Sequence, residues 1–370
     1  MKILQATPYF MPHVGGVETH VLELSRTLVE RGHEVVVLTS NVPKSAEREC
    51  LNGIEVYRFD ALKVPYVPFI PFLKKKISSY DADIFHSHCP PPFFSHALIG
   101  VHPHVVTYHC DVQIPRSFGK IPIPRFIGSS LEWAHDRFYA AKVLRDCDEI
   151  ITTTDIYAKT SAILKHMDYR VIPNAIRIEN FNEGLAKRGP MVLFVGRIAA
   201  SKGLDYLVHA VPKVLEEIPD ARFVIAGEGE EKKSLIKLTK ECGVDDYVSF
   251  VGFIPSEALE SIYQRAGVLV LPAISRSESF GIVLLEAMAC ATPVIATRMP
   301  GGMDVIDGAG LLAEPANSTS LANAIVEILS DQKRAREMGK RGRRLVEEKY
   351  TWDIVTNQII DLYEGEIDAP

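Results

Sequence analysis

Residues 15–38 read GGVETHVLELSRTLVERGHEVVVL, and this stretch indicates the class of fold. Apolar residues recur in its first part at helical spacing and predict one buried stripe, formed by Val17, Val21, Leu24 and Leu28. Gly32 then supplies the end of the helix, and the continuous apolar run 35–38 follows it. Continuous runs of this kind are typical of strands buried on both faces of a parallel sheet. We therefore predict a helix that leads directly into a parallel strand.

The same alternation of short apolar runs and helix-length segments extends along the whole chain. The runs cover residues 2–10, 35–40, 54–59, 84–88, 105–109, 149–154, 191–197, 222–227, 248–253, 268–272, 293–297 and 310–313. Strand–helix alternation is typical of doubly wound α/β domains. We therefore predict two Rossmann-like domains, over residues 1–184 and 190–350. The polar segment 182–190, with two glycines and a proline, is the predicted linker.

Composition excludes several classes of protein. The chain has 370 residues, of which 47% are hydrophobic and 24% charged, so a disordered or fibrous protein is excluded. The net charge of −6 argues against a dedicated nucleic-acid binder. Six scattered cysteines without a C-x-x-C pair indicate reduced thiols. Because the N-terminus lacks a signal-peptide pattern and the apolar runs are too short to span a membrane, we expect a cytoplasmic protein.

The strongest indication of a site is a pair of glutamates eight residues apart, Glu278 and Glu286. They surround a helix start at Phe280-Gly281, and a rise of ~1.5 Å per residue separates them by about 12 Å. That distance suits a long ligand held at both ends, with helix-start amides binding an anion between them. Glu286 lies in an apolar helix, where a carboxylate needs a partner. The structural alternative is a capping Glu278 and a solvated Glu286.

Two further features have the pattern of a phosphate site. Arg197 ends a strand and Lys202 begins the next helix, where a cation opposes the helix dipole unless an anionic ligand such as a diphosphate is bound. The alternative is two solvated surface charges, which fits Arg197 poorly because an apolar strand leads directly into it. Gly15 and Gly16 open the first helix, where glycine allows a backbone to approach a phosphate or sugar. A tight turn between strand and helix explains the two glycines equally well.

Together these residues resemble the retaining GT-B glycosyltransferases of family 4, whose motif is two glutamates separated by seven residues. The resemblance covers almost the whole chain and includes Gly15 to Glu18, Thr107 to His109, Pro173-Asn174, Gly196 to Gly203, Ala226 to Gly229, Phe250 to Gly252, Glu278 to Glu286 and Gly301-Gly302. Two stretches are similar to enzymes that add mannose or N-acetylglucosamine to phosphatidylinositol. The resemblance implies two Rossmann-like domains that face a central cleft, with a C-terminal helix at 353–370 crossing back to the first.

The resemblance also implies roles for individual residues, and five of these concern the donor's diphosphate and sugar. Arg197 and Lys202 would neutralise the diphosphate. The backbone amides of Phe280 and Gly281 would contact phosphate or sugar, and Glu278 would contact the donor sugar.

The other implied roles concern the nucleoside and the first domain. Glu286 would bind the nucleotide ribose, and Ile254 would contact the base. In the first domain His109 would contact the transferred sugar, and the loop of Gly15 and Gly16 would close over the donor.

The implied activity is transfer of a hexose or N-acetylhexosamine from GDP-mannose or a UDP-sugar to an acceptor, an inositol lipid or another glycolipid or saccharide. We expect no cofactor and no bound metal, because Arg197, Lys202 and a helix start already supply positive charge. Two alternatives stay open at this point, a GT-B nucleotide-sugar epimerase and a non-catalytic protein that binds sugar nucleotides.

Two remaining patterns lie in the first half. Histidines cluster there, among them His86, His88 and His109, but metal-ligand spacing is lacking, so we expect structural roles for all except His109. The apolar segment 65–73 precedes Lys74–Lys76, and residues 112–145 carry six basic against two acidic residues. A peripheral membrane contact on the inner face and an ordinary packed loop explain residues 65–76 equally well.

Overall fold

The computed structural model describes residues 1–64, 67–77, 80–90, 93–112, 114, 117–118, 121–122, 124–184 and 188–368. It consists of two compact units: unit 1 contains Met1–Asn174 and Trp352–Pro370, and unit 2 contains Ala175–Thr351. Unit 2 begins before the predicted boundary at residue 184. The reason is that Ile176 pairs with Thr351 and Phe181 packs in the unit 2 core.

Unit 1 is built on an eight-stranded sheet with two small hairpins beside it. Its strands are β1 (Lys2–Ala6), β2 (Glu34–Ser40), β3 (Arg48–Leu51), β4 (Ile54–Phe59), β5 (Leu62–Val64), β6 (Val67–Phe69), β7 (Ile84–Cys89), β8 (His104–Tyr108), β9 (Ser117–Phe118), β10 (Ile121–Pro122), β11 (Glu149–Thr152) and β12 (Arg170–Val171). Its first helices are α1 (Gly16–Glu30), α2 (Leu73–Ile77), α3 (Phe93–Ala97), α4 (Arg125–His135), α5 (Ala141–Asp146) and α6 (Asp155–Thr160). A π-helical turn, Asp136–Ala140, joins α4 to α5, and a 3₁₀ turn forms Leu164–His166.

The strand order of the large sheet is β12-β11-β8-β7-β1-β2-β4-β3. All neighbours are parallel except the edge pair β3 and β4. The order reverses between β1 and β7, and ligands of such sheets bind beyond the carboxyl ends of the strands at a reversal. The residues that follow β1, β7 and β8 therefore lie where doubly wound sheets bind their ligands.

Unit 2 is a second doubly wound domain. Its strands are β13 (Met191–Val195), β14 (Arg222–Ala226), β15 (Val248–Gly252), β16 (Val268–Leu271), β17 (Val294–Thr297) and β18 (Gly310–Ala313). Its helices are α7 (Leu204–Glu217), α8 (Lys232–Glu241), α9 (Ser256–Arg265), α10 (Ile282–Ala289), α11 (Pro300–Ile306), α12 (Ser318–Ser330) and α13 (Gln332–Lys349), with 3₁₀ turns at Ile178–Asn180 and Ala200–Lys202. The all-parallel order β15-β14-β13-β16-β17-β18 reverses between β13 and β16.

The last helix, α14 (Trp352–Ile367), belongs to unit 1 although it follows unit 2 in the chain. Val355 and Ile359 are buried on it, and Thr356 Oγ1 lies 2.8 Å from Thr27 Oγ1 of α1. The cation of Arg31 pairs with Asp353 at 3.0 Å. Within the described ranges, every helix is too short or too polar to cross a bilayer.

The apolar patterns account for this architecture. Each of the twelve predicted runs contains a strand, and the predicted stripe of α1 is buried at Val21, Leu24 and Leu28. Gly32 has φ +85° beyond the end of α1, as its position predicts. The edge strand β3 was not predicted, because its partly exposed residues lack a continuous apolar run.

Candidate functional site

The strand reversal in unit 2 brings two of the predicted loops together. The loop after β13 ends at Gly203, which has φ +62° and lies so close to the carbonyl oxygen of Pro272 that a Cβ would collide with it. Beside this contact, the amide of Ile274 donates a 3.0 Å hydrogen bond to Ser201. The loops that follow β13 and β16 are therefore packed against each other at the place where doubly wound sheets bind ligands.

Lys202 and Glu278 form an ion pair across these two loops. The side chain of Lys202 is 24% exposed and that of Glu278 only 14%. We predicted that Lys202 begins α7. It lies instead at the end of the 3₁₀ turn Ala200–Lys202, just before α7 begins at Leu204. The proposed contacts for diphosphate and donor sugar are thus neighbours, and their opposite charges are paired with each other.

Arg197 lies at the same reversal but is much more accessible. Its side chain is 72% exposed and pairs with Glu230, with the Nη2 atom 3.1 Å from both carboxylate oxygens. We expected the apolar strand to hold Arg197 away from solvent, and that expectation is wrong. The strand ends at Val195, and Gly196, with φ +144°, redirects the chain before Arg197.

The segment between Glu278 and α10 is held by close packing. Phe280 is 3% exposed, and Gly281 has φ +84° as the N-cap of α10. Gly301 of α11 approaches the backbone of Ser279 so closely that a Cβ would overlap it. The amide of Leu284 donates a 2.8 Å hydrogen bond to the carbonyl of Gly281, and the amides that precede it at the helix start are the ones available to an anion.

Glu286 projects from α10 and has the partner that its apolar setting requires. The hydroxyl of Tyr263 on α9 donates a 2.5 Å hydrogen bond to its Oε2 atom. Burial raises the pKa of the Glu286 carboxyl group, and burial with this carboxylate nearby raises the pKa of Tyr263 well above its usual value. Tyr263 was not predicted from the sequence, because its hydrogen bond to Glu286 joins two separate helices.

Ile254, the residue proposed to contact the base, lies just after β15. It is partly buried and packs against the unit 2 core, whereas the neighbouring Phe253 is 71% exposed. The position agrees with a site at the carboxyl ends of the strands. The ring of Phe253 is the more accessible of the two surfaces for a nucleobase.

In unit 1, Gly15 and Gly16 begin α1 as predicted. A Cβ on Gly15 would collide with the carboxylate of Glu18, whereas open space surrounds Gly16. Glu18 is 8% exposed, lies 3.2 Å from Nδ1 of His13, and has a pKa raised by burial. Glycine at position 15 therefore leaves room for the carboxylate of Glu18 in its present position.

His109 follows β8 directly and is 5% exposed. Its Nε2 atom lies 3.1 Å from Nδ1 of His88, and His88 Nε2 donates a 2.7 Å hydrogen bond to the side-chain oxygen of Gln5. Because a carbonyl oxygen only accepts, His88 carries its proton on Nε2, and His109 Nε2–H donates to His88. Burial lowers the pKa of both rings well below the usual value, so both are neutral at pH 7.

Other histidines of the cluster support the fold, as we expected. His86 bonds to the hydroxyls of Tyr363 at 2.6 Å and Thr107 at 2.7 Å, and His104 lies 2.9 Å from Ser87 Oγ. These bonds join neighbouring strands to each other and to α14.

Comparisons with known proteins give the class and the family. Residues 14–180 match the model of Glycosyltransferase Family 4, and residues 176–345 match that of Glycosyl transferases group 1. An uncharacterised glycosyltransferase of Methanocaldococcus jannaschii is 30% identical over 98% of both chains. A phosphatidyl-myo-inositol mannosyltransferase of Mycolicibacterium smegmatis is 30% identical over 98% of this chain and 94% of that one. The solved sucrose-phosphate synthase of Thermosynechococcus elongatus has a TM-score of 0.81 and 24% identity, with 98% of each chain covered.

The two doubly wound units have the GT-B fold of glycosyltransferases. The chain belongs to the glycosyltransferases with family 4 and group 1 domains. The resemblance inferred from the motifs is confirmed, and so are the fold class and the transferase activity. The comparisons give no support to the epimerase and the non-catalytic binding protein considered above.

Proposed function

We propose that this glycosyltransferase moves a hexose or N-acetylhexosamine, with retention of anomeric configuration, from GDP-mannose or a UDP-sugar to an inositol lipid or another glycolipid. The observation that carries the proposal is the pairing of Lys202 with Glu278 at the strand reversal of unit 2. A cation and a carboxylate are held there beside a helix N-terminus, which is the chemistry that a diphosphate linked to a sugar requires.

In this proposal, donor binding breaks two ion pairs within the protein and replaces them with contacts between the same cations and the donor's diphosphate. The diphosphate binds the ammonium group of Lys202 and the guanidinium of Arg197, which pair with Glu278 and Glu230 in the structure. The released Glu278 carboxylate then accepts hydrogen bonds from hydroxyls of the donor sugar. The carboxylate of Glu286, oriented by Tyr263, accepts hydrogen bonds from the ribose.

The chemical step breaks the bond between the anomeric carbon and the diphosphate oxygen. The acceptor oxygen bonds to the anomeric carbon from the same face, through an oxocarbenium-like state, and its proton passes to the leaving phosphate. Lys202, Arg197 and the first amides of α10 stabilise the negative charge that grows on that phosphate. His109 contacts the transferred sugar. Positive groups of the chain suffice for this step, so we propose that transfer is independent of a metal or cofactor.

The acceptor side of the proposal depends on the surface of unit 1. Helix α2 leaves Lys74–Lys76 exposed beside Phe72, whose side chain is 82% exposed. Lys74 Nζ also donates a 2.7 Å hydrogen bond to the carbonyl of Ile99. Pro65 and Tyr66, which began the segment singled out in the sequence, lie outside the described residues.

Large apolar side chains are also exposed on α4 and the π-helical turn after it. Phe126 is 73% exposed, Trp133 62% and Phe138 67%. Aromatic groups near a cationic segment are the combination that binds an anionic lipid surface. We therefore propose a peripheral contact between unit 1 and an anionic membrane, which presents the lipid acceptor. The mannosyl transfer to phosphatidyl-myo-inositol in the name of one relative is consistent with such an acceptor.

The test is a transfer assay with a panel of UDP-, GDP- and ADP-sugars and phosphatidylinositol vesicles as acceptor. We expect one donor to give a glycolipid whose new bond has the anomeric configuration of the donor. A product of inverted configuration would exclude retention. A donor that reacts with soluble saccharides but with no inositol lipid would exclude the lipid acceptor.

Flotation with anionic and neutral vesicles tests the membrane contact separately. We expect salt-sensitive binding to anionic vesicles only, weakened when Lys74, Lys75 and Lys76 are changed together to Ala, at about 1 kcal/mol per lysine. The matched control changes three exposed lysines of α8 in unit 2, Lys233, Lys237 and Lys240, and should not alter binding. No flotation of the wild-type protein at low salt would rule out the contact.

A further inference from the structure

Three buried histidines of unit 1 form a group that we name the histidine triad: His20, His88 and His109. They come from α1, from β7 and from the residue after β8, so three separate elements place them. Each is at most 5% exposed. One ring nitrogen of each lies within 4.8 Å of those of the other two, and elsewhere in the described chain no similar set of histidine, cysteine and carboxylate ligands converges.

His20 is the unusual member of the triad. Its ring lies 5.0 Å from that of His109 and 5.3 Å from that of Trp352, measured between centroids. Neither ring nitrogen makes a hydrogen bond of good geometry to another described residue. Burial lowers the pKa of His20, and the nearby side-chain oxygen of Asn174, which also lacks such a bond, raises it by a smaller amount. Buried polar groups without partners are rare in folded proteins, and an ordered ion or water usually explains them. A coordination bond would satisfy His20.

The other two rings are joined by a hydrogen bond, and a metal ion would replace its proton. The Gln5 side chain holds the proton of His88 on Nε2, which directs the lone pair of Nδ1 toward His109 Nε2 at 3.1 Å. Metal-bound histidines usually donate the second ring N–H to such an acceptor. Zn–N bonds of about 2.0–2.1 Å place two tetrahedral ligand nitrogens ~3.3–3.4 Å apart. The 3.1 Å between His88 Nδ1 and His109 Nε2 is close to that separation.

We propose that His20, His88 and His109 bind one divalent transition-metal ion, Zn²⁺ or an ion of similar preference, and that this ion inhibits sugar transfer. Three imidazoles without a carboxylate favour Zn²⁺, Co²⁺ or Ni²⁺ over Mg²⁺ and Ca²⁺, which take oxygen ligands. The ion replaces the hydrogen that His109 Nε2 shares with His88, and that proton moves to Nδ1 of His109. Three protein ligands leave a fourth position for water or an anion.

Inhibition follows from the role of His109, and this part rests on the proposed function. Coordination through Nε2 fixes the His109 ring and moves its proton to Nδ1. The ring then presents an N–H at Nδ1, where the metal-free ring presents a lone pair. The hydrogen bond that His109 makes to the transferred sugar is then altered. Metal binding itself does not depend on the proposed function.

The test uses the full-length protein after removal of metals with a chelator. Co²⁺ binding is followed by visible absorption, which reports tetrahedral nitrogen coordination, and Zn²⁺ is then added as competitor. His20→Phe removes one ligand without burying a new polar group, and His166→Phe, at an exposed histidine, is the matched control. Gln5→Met removes the outer-shell acceptor of His88, together with a long, 3.5 Å hydrogen bond from Gln5 Nε2 to the hydroxyl of Tyr363, and leaves the three ligands in place. Thermal unfolding of each variant checks that it is folded.

We expect one tetrahedral Co²⁺ per wild-type chain, displaced by Zn²⁺. Gln5→Met should weaken binding about 10–100-fold, and His20→Phe should weaken it further, whereas His166→Phe should bind as the wild type does. Equal affinities in wild-type and folded His20→Phe protein, or no tetrahedral Co²⁺ spectrum at all, would refute the site.

Transfer assays then test the inhibitory role. Zn²⁺ should inhibit the wild-type enzyme reversibly, with EDTA restoring activity, and Gln5→Met should need at least 10-fold more Zn²⁺. Saturated Zn²⁺ with undiminished transfer would overturn the inhibitory role. A protein that binds Co²⁺ as described but transfers no sugar would count against the proposed function and leave the metal site intact.

Discussion

Changing Lys202 to Met should reduce sugar transfer far more than the same change at an exposed cation. A unit charge ~4 Å from the ammonium group, at an effective dielectric constant of about 20, interacts by about 4 kcal/mol. Lys202 is 24% exposed, so we reduce this to roughly 2–4 kcal/mol. If that interaction acts on the departing diphosphate, the turnover rate falls roughly 30- to 1000-fold. Arg197→Met should raise the activation free energy of transfer by ~1 kcal/mol or less, because the Arg197 side chain is 72% exposed.

The same change also affects stability, and a second variant separates the two effects. Lys202→Met leaves the largely buried carboxylate of Glu278 without its cation, which costs about 1–3 kcal/mol of unfolding free energy. Lys202→Met combined with Glu278→Gln removes both charges and should recover most of that stability, but not the transfer rate. Lys240→Met, at an exposed lysine of α8, controls for loss of a positive charge.

Urea unfolding and single-turnover transfer with the best donor of the panel give the two quantities. Wild-type turnover in folded Lys202→Met protein would refute the role of Lys202 at the diphosphate. Recovery of the transfer rate together with stability in the double variant would show that Lys202 acts only on the fold.

Three further predictions concern the nucleotide, the metal and the pH. Glu286→Ala should weaken binding of free UDP or GDP at least about tenfold, through two lost ribose hydrogen bonds, as measured by calorimetry; unchanged affinity would contradict the ribose role. Transfer should persist in EDTA, and complete loss that a divalent ion restores would contradict metal independence. Burial lowers the pKa of His104 to about 4, so the unfolded chain binds its proton first and stability falls as pH drops from ~6.5 toward 4. Between pH 7 and 5 the shifted pKa of His104 lowers the free energy of unfolding by about 2 kcal/mol. The urea midpoint should therefore fall less over this range in His104→Gln than in the wild type, and equal decreases in the two proteins would refute this account.

Most of the framework could be predicted because its signals are local. An apolar run is a property of consecutive residues, so the central strands of both sheets were found, and Gly32 ends its helix where the sequence placed it. The edge strand β3 lacked this signal. The boundary at Asn174 was not predicted either, because the packing of Phe181 in unit 2 depends on residues far away in the chain.

The sequence indicated most residues of the candidate site but not the contacts between them. The sequence indicated Lys202, Glu278 and Glu286, but not that Lys202 pairs with Glu278 or that Tyr263 orients Glu286. His20 could have been noticed, because it shares the buried face of α1 with Val21 and Leu24.

The sequence by itself determined the two doubly wound domains, the family and the residue types of the candidate site, because periodicity and motif spacing are written in neighbouring residues. Only the tertiary structure decided which charges neutralise each other and which histidines converge. Those contacts join loops after non-adjacent strands, such as β13 and β16, and their distances depend on the strand order of the sheet. They also depend on close backbone approaches, at Gly203 and Gly301, that a single segment does not encode.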